Sequence, residues 1–208
     1  MRTVLALAIG YLLGSVLPAE LLARRRGIDI KAVGTGNPGT TNALAELGLV
    51  PGLVTAAYDM SVGIVAIQVA LLIGVPTAWA YLAGIMSIVG HRFPMFFGFH
   101  GGQGMAASAG MLIYGMGIAL LRDWLSVADF AVLLAIAGLA FALTRSGSVV
   151  GVIALPLLMA QLLLAGPDRE FLVFMAALAA NIWAVQLVIS RREHLFRVVR
   201  RAHGSTGD

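Results

Sequence analysis

The side chains of this chain that can do chemistry are gathered in a few short stretches. Residues 34–42 read GTGNPGTTN, with Gly34, Gly36 and Gly39 set among Thr35, Asn37, Thr40, Thr41 and Asn42. Glycine lets a backbone take left-handed conformations or come close to a ligand. Successive exposed N–H groups can then form a concave seat for an anion. Residues 90–104 read GHRFPMFFGFHGGQG, where Gly101, Gly102 and Gly104 surround Gln103 and follow His91, Arg92 and His100. A helix is expected to begin just beyond them, and the free N–H groups and partial positive charge of a helix N-terminus suit phosphate. Residues 144–148 (TRSGS) and 190–197 (SRREHLFR) add Arg145, Ser148, Arg191, Glu193, His194 and Arg197. The chemistry these patterns share is the binding of anionic oxygens by neutral donors and cations.

Each stretch also has a plainer reading. Residues 34–42 can be a tight interfacial turn whose asparagines and threonines cap a helix. His91 can be an interfacial histidine bonded to a carbonyl. Residues 34–42 lack the G-x-x-x-x-G-K-[ST] spacing of a nucleotide-binding loop. His91, His100 and His194 lack the i, i+4 partners of a zinc site, so no metal is expected. Phe93, Phe96, Phe97 and Phe99 read as an interfacial aromatic belt.

The elements that must position these residues are apolar. The chain has 208 residues, 60% hydrophobic and 12% charged, against about 25% charged in soluble domains. Cysteine is absent, which excludes a disulfide framework. Seven apolar segments are expected to span a membrane, at residues 3–23, 51–75, 77–91, 104–121, 124–143, 148–166 and 170–190. The fold class is therefore an all-α integral membrane protein, a seven-transmembrane-helix bundle. It is expected to form one domain over residues 1–200, with a flexible tail at 201–208.

Cations orient such a bundle. Eleven of the 14 lysines and arginines (Arg24, Arg25, Arg26, Lys31, Arg92, Arg145, Arg191, Arg192, Arg197, Arg200 and Arg201) fall on one side of it. Only Arg2, Arg122 and Arg169 fall on the other. This asymmetry predicts an outside N-terminus and a cytoplasmic C-terminus, and reads as topology rather than nucleic-acid binding. All the polar stretches then share the cytoplasmic face, which suggests a site at the inner interface. Three acids are expected in structural ion pairs: Glu20 with Arg24 four residues on, Asp59 with a loop arginine, and Asp129 near the outer face.

Taken together, these stretches resemble the bacterial membrane-bound acyl-phosphate:glycerol-3-phosphate acyltransferases over nearly the whole chain. Residues 11–42 look like the family's first span and glycine–asparagine loop. Residues 90–104 are similar to its G-H-x-[FY]-P-x-F-x-x-F-K-G-G-K-G loop. TRSGSVVG resembles its R-x-x-S-x-x-S turn, and REHLFR its terminal R-E-N-I-x-R. The resemblance implies transfer of a fatty acyl group from acyl phosphate to the sn-1 hydroxyl of glycerol 3-phosphate, or of a less anionic hydroxyl acceptor, giving lysophosphatidic acid for phospholipid synthesis. It implies no cofactor and no nucleic acid. The partners it implies are membrane lipids and the soluble enzyme that forms acyl phosphate. The implied location is the bacterial inner membrane, with the active-site face cytoplasmic. On this basis Thr35, Asn37, His91, Gln103, Arg191 and His194 are the expected catalytic residues. Gly34, Gly36, Asn42, His100, Gly101, Gly102, Gly104, Arg145, Ser148, Glu193 and Arg197 are the expected substrate- and phosphate-binding ones. Gly101 and Gly102 are expected to offer their N–H groups to phosphate oxygens.

The departures from the family pattern are concentrated. His100 and Gln103 stand where the family has loop lysines, Ala45 where it has an arginine, and Val62 where it has a lysine. Arg191 and His194 replace a histidine and an asparagine, and Thr35 replaces a serine with its hydroxyl kept. A hydrogen bond to a charged group is worth roughly 1.5–3 kcal/mol, so these changes alter how phosphate is held. The alternative reading is a non-catalytic homologue that binds lipid or phosphate, or that partners a true acyltransferase. A small-solute carrier fits worse, because no internal repeat is visible.

Overall fold

The first apolar segment does not run straight. Helices α1 (Arg2–Gly14) and α2 (Pro18–Arg24) are bent by 42°. A proline disfavours helical backbone in the residue before it, and Leu17 is accordingly extended (φ −112°, ψ 96°). Pro18 itself opens α2, where its missing N–H costs nothing.

The computed structural model describes residues 1–144 and 147–204, with side chains for residues 1–144 and 152–187. After α2 come α3 (Thr40–Leu47), α4 (Leu49–Leu72), α5 (Thr77–Arg92), α6 (Met105–Leu121), α7 (Val127–Thr144), α8 (Gly147–Ala165) and α9 (Arg169–Gly204). No strand occurs among the described residues. Each apolar segment expected from the sequence coincides with a helix or with the bent pair, and α3 is an added short helix that begins inside the first polar stretch.

Length sorts these helices. Among the described residues, α4, α7 and the Arg169–Leu187 part of α9 are long and apolar enough to cross a membrane, and the bent α1–α2 pair makes a fourth. Helix α6 and the Val152–Ala165 part of α8 are apolar but shorter. A seven-span count requires these shorter helices and α5 to cross as well.

Packing is closest where side chains are smallest. On α1, Gly10 and Gly14 lie against the backbone of Ala83 and Ser87 on α5, and Gly90 of α5 lies against that of Tyr11. Small residues let helices approach backbone to backbone, as membrane helices do. The main core gathers Ile67, Met111, Phe171, Phe174 and Met175, all buried. Tyr81 stacks on Phe174 at 4.5 Å between ring centroids. By contrast α7 turns Leu134, Leu139, Phe141 and Leu143 outward, a surface suited to lipid. The first two polar stretches, residues 34–42 and 90–104, sit where α2, α3, α5 and α6 end or begin.

Candidate active site

The first polar stretch is organised by one side chain. Asn42, fully buried on α3, donates from Nδ2 to the carbonyls of Ile30 (2.9 Å) and Val33 (3.1 Å). Its Oδ1 accepts from the Thr35 N–H at 2.8 Å. A buried amide with all these bonds made is satisfied, so Asn42 holds the shape of the loop rather than reaching out of it. Gly34, at φ +57°, packs so tightly on Asn42 that an added Cβ would collide with Oδ1. Thr35 is exposed, and Asn37 faces inward.

The second stretch is organised by backbone. Gly101 N–H donates to the Arg92 carbonyl (3.1 Å) and Gly102 N–H to the His91 carbonyl (3.0 Å). These two groups are therefore committed inside the protein, which corrects the expectation that they bind phosphate. The glycines are needed for a different reason: a Cβ on Gly101 would strike the His91 carbonyl, and one on Gly102 would strike His91 Nε2. The loop thus wraps the end of α5. Gly104, at φ +71°, then turns the chain into α6. His100 is exposed and its Nδ1 lies 2.6 Å from the Gly98 carbonyl, so it is occupied by its own loop.

The two stretches meet at a cavity of about 180 Å³ lined by Asn37, Gly39, Thr40, Thr41, Asp59, His91, Gln103, Gly104, Met105 and Ala106. His91 and Asp59 form its buried wall, only 3% and 1% exposed, with His91 Nδ1 3.7 Å from Asp59 Oδ1. The Thr40 hydroxyl is buried next to the Asp59 carboxyl, close enough to act on it as a hydrogen-bond donor but outside ideal geometry. Asp59 therefore faces a histidine, not the loop arginine expected from the sequence. Beneath Gly104, Arg92 Nη1 reaches Asn181 Oδ1 (3.4 Å), and Asn181 Nδ2 donates to Ser108 Oγ (2.8 Å), tying α5, α9 and α6 together.

In a separate cavity, Glu20 pairs with Arg24 (2.8 Å), as its spacing suggests, and Lys31 Nζ stands 3.6 Å from the same carboxylate. Arg24 also lies over Phe97, while Phe93, Phe96 and Phe99 are exposed. Asp129 bonds to Ser126 instead of a cation.

Of the residues expected in the site, Asn37, His91, Gln103 and Gly104 come together on the cavity wall, with Gly101 and Gly102 directly behind His91. Gly36 and Thr35 lie in the first loop outside it. Arg145, and the side chains of Ser148, Arg191, Glu193, His194 and Arg197, lie outside the described residues. The sequence reading named Thr40 and Arg92 without placing them among the site residues, took Asp59 for half of a structural ion pair, and passed over Asn181. For Asp59 a signal existed: an acid inside an apolar run is costly and by default functional. Among the described residues no three histidine, cysteine or acidic side chains converge to hold a metal ion.

Known proteins share this architecture. The family model described as glycerol-3-phosphate acyltransferase matches residues 4–201. The chain is 36% identical to glycerol-3-phosphate acyltransferase 1 of Deinococcus radiodurans over 197 residues, covering 92% of this chain and 96% of that protein. It is 33% identical to the glycerol-3-phosphate acyltransferase of Geobacter sulfurreducens, covering 92% and 91%. Its fold is similar to the crystal structure of PlsY, an integral membrane glycerol 3-phosphate acyltransferase, in its glycerol 3-phosphate form. The TM-score is 0.69 at 27% identity, with 96% of this chain and 93% of that one covered. With nearly its full length matched in family pattern, in sequence and in fold, this chain belongs to the glycerol-3-phosphate acyltransferase family.

Proposed function

We propose that the cavity between the two polar loops is the place where this acyltransferase acylates glycerol 3-phosphate, with acyl phosphate as donor. The hydroxyl oxygen bonds to the acyl carbon, the carbon–oxygen bond to phosphate breaks, and phosphate leaves with the electron pair and takes up the hydroxyl proton, giving lysophosphatidic acid. The observation that carries this reading is the meeting of residues from both loops, Asn37 and Thr40 from one and Gln103 and Gly104 from the other, around His91.

At about 180 Å³ the cavity is smaller than a drug-sized pocket of roughly 300–1,000 Å³. It suits the polar end of the reaction, with the acyl chain lying in the membrane outside it. The Gln103 amide and the Asn37 amide are the neutral donors placed to stabilise the carbonyl oxyanion. Arg145, Arg191 and Arg197 from the other polar stretches are the cations proposed to supply the phosphate-binding charge. The eleven-to-three cation asymmetry supports seven crossings, an outside N-terminus and a cytoplasmic site in the inner membrane. Acyl phosphate then reaches the site from the soluble enzyme that forms it.

The test is to incubate the purified, detergent-solubilised protein with acyl phosphate and a panel of hydroxyl acceptors, and to identify acylated products by mass spectrometry. Lysophosphatidic acid from glycerol 3-phosphate is expected. A folded protein that acylates none of the acceptors overturns the proposal.

A further inference from the structure

A second cavity, of about 420 Å³, lies at the end of α2 and is lined by Glu20, Arg24, Gly27, Ile28, Asp29 and Lys31. It is larger than the cavity between the two loops and falls within the roughly 300–1,000 Å³ of small-molecule sites. Local backbone builds it. Gly27, at φ +69°, turns the chain back, and the Ile28 N–H donates to the Ala23 carbonyl at 3.0 Å. Asp29 Oδ1 then accepts the Lys31 N–H at 3.0 Å. A Cβ on Gly27 would meet nothing within 4 Å, so this side of the wall is open.

The ion pairs do not use up Glu20, which is only 5% exposed. Its Oε1 accepts from Arg24 Nε at 2.8 Å. Its Oε2 is buried with no hydrogen-bond partner, and Lys31 Nζ, at 3.6 Å, stands beyond hydrogen-bond range. A buried carboxylate is costly unless its remaining lone pairs are satisfied, and native proteins rarely leave such atoms unpaired. The cations keep capacity as well. Arg24 meets Glu20 through Nε, its guanidinium lies 5.1 Å over the Phe97 ring, and 61% of its side chain is exposed. The Lys31 side chain is partly exposed.

We propose that this cavity binds the headgroup of a phospholipid carrying a primary ammonium, of the phosphoethanolamine class. The ammonium donates to Glu20 Oε2, and the phosphate lies between Lys31 Nζ and the Nη groups of Arg24. The wall carries two acids and two cations, so it is neutral in sum and divided in sign, as a zwitterionic headgroup is. An anion alone would be repelled by Glu20 and Asp29, and a cation alone by Arg24 and Lys31. The surroundings suit a lipid. Helix α2 is the second half of the bent apolar pair, and the exposed Arg25 and Arg26 follow it, as cations do at headgroup level. Leu21, next to Glu20, is 43% exposed and offers acyl chains an apolar face. The headgroup site does not depend on acyl transfer taking place in the other cavity.

The experiment titrates the delipidated full chain in detergent with dioleoyl phosphatidylethanolamine, phosphatidylcholine or phosphatidylglycerol, and counts bound lipid by native mass spectrometry. Wild type is expected to bind phosphatidylethanolamine at least about tenfold more tightly than phosphatidylcholine, whose trimethylated nitrogen has no proton to donate to Glu20. Equal affinity for these two lipids, or tighter binding of phosphatidylglycerol, overturns the proposal without any variant. Soluble phosphoethanolamine serves as a further probe, and its binding as tightly as the lipid would show a site for a free zwitterion and overturn the lipid assignment. Glu20→Gln keeps the shape of the wall and removes its charge. It should lower affinity for phosphatidylethanolamine at least about tenfold and leave phosphatidylcholine within about threefold. Lys31→Gln should weaken both lipids alike, since both lose a phosphate partner. A folded Glu20→Gln protein that keeps the wild-type preference overturns the assignment, and if that variant does not fold, the wild-type panel and Lys31→Gln decide it.

Discussion

The two glycine-bearing loops reach the same cavity by different means. The first hangs on a single side chain, since Asn42 makes three hydrogen bonds to the backbone of Ile30, Val33 and Thr35. The second has no such clamp. Its shape comes from backbone hydrogen bonds to Arg92 and His91, and from the absence of Cβ atoms at Gly101 and Gly102. A loop built on one amide fails all at once when that amide is lost. A loop built on missing atoms fails by position, according to what an added atom meets.

The largest effect is therefore expected at Asn42. Asn42→Ala removes all three bonds and leaves two carbonyls and an N–H unpaired in a buried to half-buried place, at a cost of about 3 kcal/mol. Thermal unfolding in detergent should show a large loss of stability, and acyl transfer should disappear with it. An Asn42→Ala protein of undiminished stability would show that the first loop has another support.

Next come the paired glycines, which separate fold from chemistry. At Gly101 a Cβ meets the His91 carbonyl and lies 3.0 Å from the Arg92 carbonyl, so backbone must move. At Gly102 it meets the edge of the His91 ring, a side chain. Gly101→Ala should cost about 2 kcal/mol of stability. Gly102→Ala should cost less than half that, yet slow turnover about 100-fold by displacing the ring. Equal losses of stability in the two variants would erase the distinction.

A smaller, opposite change is expected at Gln103. Gln103→Lys places an ammonium on the cavity wall with Asp59 and should lower KM for glycerol 3-phosphate by up to about tenfold, or about 1.4 kcal/mol. Val62→Lys should not add to it, because Val62 is 3% exposed and packed in the apolar core. A KM unchanged in folded Gln103→Lys would mean that the acceptor's phosphate lies elsewhere. Smallest of all, His100→Ala should change turnover by no more than about twofold, since the ring is exposed and bound to its own loop. A greater loss would bring His100 back into the site.

Much of this protein is decided by local sequence. Apolar runs of membrane length set the helices, because a backbone in lipid must bond to itself. Pro18 sets the bend in the first of them, and Glu20 and Arg24 pair because four residues make one helical turn. The polar stretches announce themselves by contrast with their surroundings, and they are where the cavity lies. What local pattern does not carry is the partner of each group. Gly101 and Gly102 look like free donors until the end of α5 is seen to take both N–H groups. Asn42 looks like a ligand residue until its bonds are traced, and Asp59 like the partner of a loop arginine until α4 and α5 are packed together. Periodicity tells which residues share a helix face. Which faces meet, and at what depth, depends on contacts between segments far apart in the chain, and the tertiary structure alone decides those.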